Sequence, residues 1–437
     1  MKSSFKTVDD KDNLSIEYKD LYVIDGHITY MYLKGTEVPP SVNIFTNTSQ
    51  WRPILKTFDD ENSLNEYISS LQITDRIELA GLGDNWWYGN IGHALFDGLY
   101  PIYLAMVKFG YADSPFTLLS DNLDNKLTMS YDIMKRFCGN IVERYKISHS
   151  KIVHIDTLVA GTGRTGNRVI NEEYTLYGKK YNGVMLFRNR LLKTYGIKTD
   201  KAINGIPKVI IINNKRFSKE ERDVINNAVK YFEGSIDIKF VDWYHHFKSF
   251  DDQILMFQDV DIQVTGPGTA MMYTPFLKLG AVNINLGYME KTQTGGRDNI
   301  KVPGDTTDYV FPGWMEQCVC AGADYVHTIY YDRSTYNNIE YEPLIDIIKK
   351  GVSILYNPSL HHCNHNNDAL AFIEYCKRSE LARNVCDHLT SIAYFMELFV
   401  HEHPLATPKN ITNISLLREI KAKYNIDDKY RIRRDFN

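Results

Sequence analysis

The chain has 437 residues, with 50 Lys and Arg against 54 Asp and Glu, a formal net charge of −4. That balance excludes a protein whose main partner is nucleic-acid phosphate, because no strong positive field exists to displace counterions. Hydrophobic residues at 43% and charged residues at 24% exclude chain-wide disorder, and the length sets an expectation of two or three domains.

The N-terminal stretch MKSSFKTVDDKDNLSIEYKD is polar and lacks the apolar segment of a secretory signal. No run of about 18 apolar residues follows it, so no membrane span is expected. A cytoplasmic location is the resulting expectation. Six cysteines (Cys138, Cys318, Cys320, Cys363, Cys376 and Cys386) lack CxxC spacing and read as reduced thiols. The sequons at Asn47, Asn410 and Asn413 then carry no weight. Tyrosine is abundant, with 30 residues. Such surfaces suit sugars or peptides, but a composition bias toward Tyr, Asn, Ile and Lys is the simpler reading.

In chain order, residues 20–33 alternate as a hairpin with its turn at Asp25 and Gly26. Residues 75–80 read as a strand ending at Gly81-Leu82-Gly83. A helix is predicted from Asn90 to Phe109, with further helices over 131–146 and 181–196 and a strand over 151–155. The clearest stretch begins at Lys208. Residues 209–212 form a buried-type strand, and Ser218 with Glu221 makes a capping box for a helix to Phe232. A strand from Ile236 to Val241, a helix from Ser249 to Phe257 and a strand from Asp261 to Thr265 follow. The last runs into Gly266-Pro267-Gly268-Thr269, after which a helix to Leu279 and a strand from Ala281 to Leu286 are predicted.

Strands alternating with single helices imply an α/β fold with a parallel, doubly wound sheet. Ligands of such sheets sit beyond the carboxyl ends of the strands. Here those ends carry Asn213 to Arg216, Asp242 and Gly266 to Thr269. Residues 290–315, rich in Gly, Thr, Asp and Pro, read as a loop. From Glu342 the pattern is mostly helical, broken near Pro358 and from Pro404 to Pro408, and the basic tail KYRIRRDFN reads as a solvated end.

Several constellations carry chemistry. In NIGHALFD, His93 and Asp97 are four apart and share a helix face, next to Asn90. Pro101 cannot donate to the Asp97 carbonyl and should loosen the helix there. A carboxylate and a histidine so placed could transfer a proton; an ordinary polar face or a capping aspartate is the alternative. Gly266-Pro267-Gly268-Thr269 at a strand-to-helix turn suits a diphosphate, and a plain tight turn is the alternative. The dinucleotide pattern GxGxxG fails there at Met271 and at Gly81 to Trp86, which disfavours NAD. Arg216 follows a strand end, where a guanidinium can take phosphate oxygens in pairs. Arg222 lies inside the next helix, and a surface ion pair is the alternative for both. His361-His362-Cys363-Asn364-His365 matches no standard zinc spacing. Asp259-Val260-Asp261 precedes its strand, whereas the DxD site of metal-dependent sugar transferases follows one.

The run NIGHALFD resembles the N-x-x-H-x-x-x-D motif of glycosyltransferase family 61, which includes the EGF-domain O-GlcNAc transferase and plant core xylosyltransferases. FRNRLLKTYGI, at 187–197, is similar to the segment before that family's second domain. KVIIINNKRFSKEERDVINN resembles its strand, arginine and capped helix, and the stretch from Ser249 to Leu286 its HGAGLTN-type loop. Order and spacing match over about residues 75–290. The chain departs from the family where the loop histidine corresponds to Pro267 or is absent, and where Met271 or Met272 replaces an asparagine. Members usually carry a membrane anchor; the missing anchor and composition bias fit a large virus or protist with cytosolic glycan assembly.

The resemblance implies a GT-B fold of two Rossmann-like domains facing a cleft. Its expected boundaries are an acceptor-side domain at 1–200, a nucleotide-sugar domain at 201–340, and a helical extension at 341–437 packing back on the first. It implies inverting transfer of GlcNAc, xylose or a similar sugar from a nucleoside-diphosphate sugar, UDP-linked, without an obligatory metal, to a glycan or glycoprotein hydroxyl. Asp97 is then the general base, and His93 orients it or contacts the acceptor, with Asn90 on the acceptor side. Arg216 and the amides of Gly268 and Thr269, beside Gly266, hold the leaving diphosphate. Arg222 supports Arg216, and Asp242 and Gln253 face the nucleoside. The competing expectation is a non-catalytic glycan- or peptide-binding relative with the same fold.

Overall fold

A computed structural model describes residues 2–360 apart from 9–13, 45–49, 85–88, 121–127, 145–146, 162–172, 244–248, 291–308, 311–322 and 332–335 and the single positions 148, 150, 177, 267, 288, 324 and 337. The protein is mixed α/β, and the chain divides into two compact units, Met1–Gly196 and Ile197–Asn437. No helix among the described residues is long and apolar enough to cross a membrane.

The first unit is built on an eight-stranded sheet. β1 (Ser4–Val8) and β3 (His27–Leu33) both pair antiparallel with β2 (Ser15–Ile24). The β2–β3 turn has Asp25 at φ 49° and Gly26 at φ 76°, the left-handed pair that matches strand twist in a two-residue hairpin. The expected hairpin is present in its expected register, with Ile24 opposite His27. β4 (Ile54–Phe58) lies parallel to β3, and helix α1 (Glu61–Ser70), capped by Asp60, follows it. The sequence reading made no prediction for these two elements.

β5 (Ile73–Leu82) leads to α2, which runs through Ile91–His93, a π-helical stretch Ala94–Leu99 and Tyr100–Lys108. Then come β6 (Phe116–Ser120), α3 (Thr128–Cys138), β7 (Gly139–Glu143), β8 (Ile152–Ala160) and α4 (Gly183–Thr194). The sheet order is β4-β3-β2-β8-β5-β6-β7, and β8, β5, β6 and β7 are parallel. Chain order therefore reverses between β5 and β8. Two expected helices are shorter than their patterns. Where periodicity predicts helix over 131–146, Gly139 at φ 109° ends α3 and opens an edge strand instead. Residues Lys179–Asn182 form a short hairpin strand before α4 begins.

The second unit holds a five-stranded sheet. Its elements are β9 (Lys208–Ile212), α5 (Lys219–Phe232), β10 (Asp237–Val241), α6 (Phe250–Asp259), β11 (Ile262–Thr265), β12 (Val282–Asn285), β13 (His327–Tyr330) and α7 (Tyr341–Tyr356). All neighbouring strands are parallel, in the order β10-β9-β11-β12-β13. This is a doubly wound order whose direction reverses between β9 and β11.

Alternation along the strands separates the two faces. Val209, Ile211, Ile262, Val264, Val282 and Ile284 form one core with α5 and α7. Gly351 lets α7 approach closely, since a Cβ there would stand 3.1 Å from Ile284 Cδ1. Helix α7 thus belongs to this sheet's core rather than to a separate extension, and residues 361–437, including His361 to His365 and the basic tail, lie outside the described residues. The opposite face carries buried Gln263 and Asn283. Gln263 Nε2 donates to the Ala270 carbonyl at 3.2 Å, and Asn283 Nδ2 lies 3.3 Å from Met271 Sδ. After β11 the chain forms a 3₁₀ helix, Thr269–Phe276, and not the expected α-helix to Leu279. Pro275 explains this: in an α-helix its ring would clash with the Met271 carbonyl, which here accepts the Thr274 hydroxyl at 2.8 Å.

Candidate functional site

Two loops meet where strand order reverses in the second unit. After β9, Asn214 is buried and folds its side chain back: Oδ1 accepts the Arg216 amide at 3.0 Å, an Asx turn. The Asn214 carbonyl accepts the Phe217 amide at 3.0 Å and Arg222 Nη2 at 3.2 Å, and Asn213 Oδ1 accepts Arg222 Nε at 3.0 Å. Arg222 therefore braces the loop that carries Arg216. These bonds within the loop take the place of the surface ion pair as its local reading.

The glycine loop after β11 lies against these side chains. A Cβ on Gly268 would stand 3.1 Å from Arg216 Nη1, and one on Gly266 would stand 3.0 Å from Asn214 Nδ2. Gly268 also has φ 137°, which side-chain-bearing residues rarely adopt. The glycines thus make room for the protein's own asparagine and arginine. The sequence reading offers an approaching anion or a plain tight turn. Thr269 is half-buried at the first position of the 3₁₀ helix. The start of α5 is committed elsewhere, because Ser218 and Glu221 satisfy each other's amides in the expected capping box.

The second constellation is in the first unit. Asn90 caps α2, its Oδ1 accepting the Gly92 amide at 2.9 Å. His93 Nδ1 is hydrogen-bonded to Asp97 Oδ2. Asp97 is the more buried partner, its side chain 12% exposed against 39% for His93. Asp97 lies in the π-helical stretch, where the Tyr100 amide reaches back to the Leu95 carbonyl, and Pro101 follows at once. The helix is loosened where the missing proline donor predicts. Single-turn π segments recur at functional sites because they redirect one side chain. Phe96, Tyr100 and Tyr103 pack on Phe187 of α4, with ring centroids 5.6, 5.4 and 6.2 Å away, which fixes the rotation of α2.

Other expected site residues fall differently. Asp242 is exposed just past β10, as a strand-end residue should be. Gln253 is buried, and its Oε1 accepts the Tyr273 hydroxyl at 2.5 Å, which holds α6 to the 3₁₀ helix. Met271 and Met272 are buried. The Asp259 and Asp261 carboxylates are both occupied, Asp259 by Lys208 at 2.6 Å and Asp261 by Lys278 at 2.5 Å and by the amides of Ile203 and Lys208. That accounts for the pair as structure. Sequence reasoning placed Asn214 at a strand end but missed the part its side chain plays here. Asn214 was readable as an asparagine two before an arginine at a strand end.

Neither the known family models nor the curated protein sequences match this chain.

Proposed function

We propose that the chain is an inverting, metal-independent glycosyltransferase of GT-B type, its two units serving as the two Rossmann-like domains. It moves a sugar from a nucleoside diphosphate, UDP in the first instance, to a hydroxyl of a glycan or protein. The observation that carries this reading is the seat of Arg216 on Gly268, at the strand-order reversal of a parallel sheet. Ligands of such sheets bind at that point, and a guanidinium seated against a glycine loop suits a diphosphate.

In this mechanism the acceptor oxygen attacks the anomeric carbon on the face opposite the diphosphate. The bond from that carbon to the diphosphate oxygen breaks, and Arg216 with the Gly268 and Thr269 amides takes up the charge that collects there. The acceptor proton passes to the Asp97–His93 pair. Asp97 supplies the negative charge; His93, bonded to it through Nδ1 and half-exposed, orients it or meets the acceptor.

Asp97→Asn should lower transfer about a hundredfold or more while leaving UDP affinity unchanged. Near-normal transfer in that variant would remove Asp97 from the mechanism. Arg216→Ala should weaken UDP binding about tenfold or more in calorimetry. A thermal-shift screen with UDP- and GDP-sugars identifies the donor.

One observation favours a second reading. Met271 and Met272 are buried where the resembling proteins carry an asparagine, so that side chain contributes nothing to a donor site. A non-catalytic glycan- or peptide-binding relative would show no donor hydrolysis with any sugar nucleotide.

A further inference from the structure

We infer that Asn214 is a positioning residue: its side-chain amide ties the loop after β9 to the glycine loop after β11 and thereby sets where the Arg216 guanidinium stands. The consequence for nucleotide binding rests on the reading of Arg216 given above. The positioning itself does not.

The two ends of the amide do separate work. Oδ1 accepts the Arg216 amide at 3.0 Å and closes the turn that lifts Arg216 off the strand end. Nδ2 stands 3.0 Å from where a Gly266 Cβ would be and 3.9 Å from the corresponding point on Gly268. It therefore lies along the backbone of the glycine loop, on which Arg216 Nη1 also rests. Arg222 grips the same turn from the α5 side through the Asn214 carbonyl and the Asn213 side chain. Arg216 is thus held by a turn whose only buried side-chain amide faces the loop it must act with. Aspartate is nearly the same shape and preserves the acceptor. It loses the donor, however, and places a negative charge beside the guanidinium, where it competes with a phosphate for the same positive group.

The test uses the full chain without ligand first. In hydrogen exchange, Asn214→Ala should speed exchange of residues 215–217 and of 266–270 by about tenfold or more, because the turn-closing hydrogen bond and the side-chain contact along the glycine loop are both gone. Asn214→Asp should spare 215–217 and speed 266–270 alone. Unchanged exchange at 266–270 in both variants overturns the inference. Should the alanine variant fail to fold, the aspartate variant decides.

UDP is the probe for the second arm. Asn214→Asp should raise its dissociation constant about tenfold, and should do nothing further in an Arg216→Ala background. Equal losses in both backgrounds would mean a general structural defect and would overturn the positioning role. If the wild-type chain binds no UDP at all, the nucleotide reading falls, and the exchange result still decides whether Asn214 positions the loop.

Discussion

Gly268 combines two constraints that act at a single residue. Its φ of 137° strains any residue with a side chain, and the added Cβ would press on Arg216 Nη1 at 3.1 Å. Gly268→Ala should therefore cost about 1–3 kcal/mol in backbone strain and also weaken UDP binding about tenfold. Gly234, at φ 83° with open space around its Cβ position, is the control. Gly234→Ala should lower the melting temperature without touching UDP affinity, and parallel calorimetric titrations check both. Arg216 was legible as a strand-end cation because that signal is local. The use made of Gly266 and Gly268 was not, since their neighbours Asn214 and Arg216 come from a loop some fifty residues earlier in the chain.

At the level of elements, local capping chemistry was readable. Ser218 with Glu221, Ser249 for α6 and the Asp25–Gly26 turn all stand as their residues predict. Elements decided by a single backbone break were not readable, as α3 giving way to β7 at Gly139 demonstrates. Two packing devices give tests. Arg190 on α4 donates to the carbonyls of Ala112, Ser114 and Phe137 at 2.8, 2.9 and 3.1 Å, fastening α4 to the end of α3. Arg190→Lys keeps the charge but loses the fork, and should cost about 2 kcal/mol in denaturant unfolding. Glu17 on β2 is pulled in opposite directions. Burial raises its carboxyl, while the Tyr111 hydroxyl, Lys19 and Lys6 outweigh burial and hold it below its usual value of 4.5. A carboxyl lowered on folding stabilises the native state above its unfolded pKa, and that stabilisation disappears as pH falls through the folded value. Glu17→Gln should thus flatten the drop in melting temperature between about pH 6 and pH 3; an unchanged slope would mean that other carboxylates govern it.

At the scale of the whole molecule, the two units have their own sheets and cores, and a ligand of one should stabilise that one. UDP at about a hundred times its dissociation constant should stabilise the Ile197–Asn437 unit by about 2.7 kcal/mol. Calorimetry should resolve this as an upward shift of one transition, with exchange protection gathered at the ends of β9 and β11. The sequence by itself determined the α/β class of the second unit, because the alternation of apolar strands with capped amphipathic helices is a short-range pattern that any packing must honour. It determined as well which residues stand at strand ends. The tertiary structure decided the strand order β10-β9-β11-β12-β13, and with it the meeting of the Asn214 turn and the Gly266–Gly268 loop. Hydrophobic periodicity is the same whichever neighbour a buried strand takes; the choice is made by side chains interlocking across the sheet, between segments far apart in the chain.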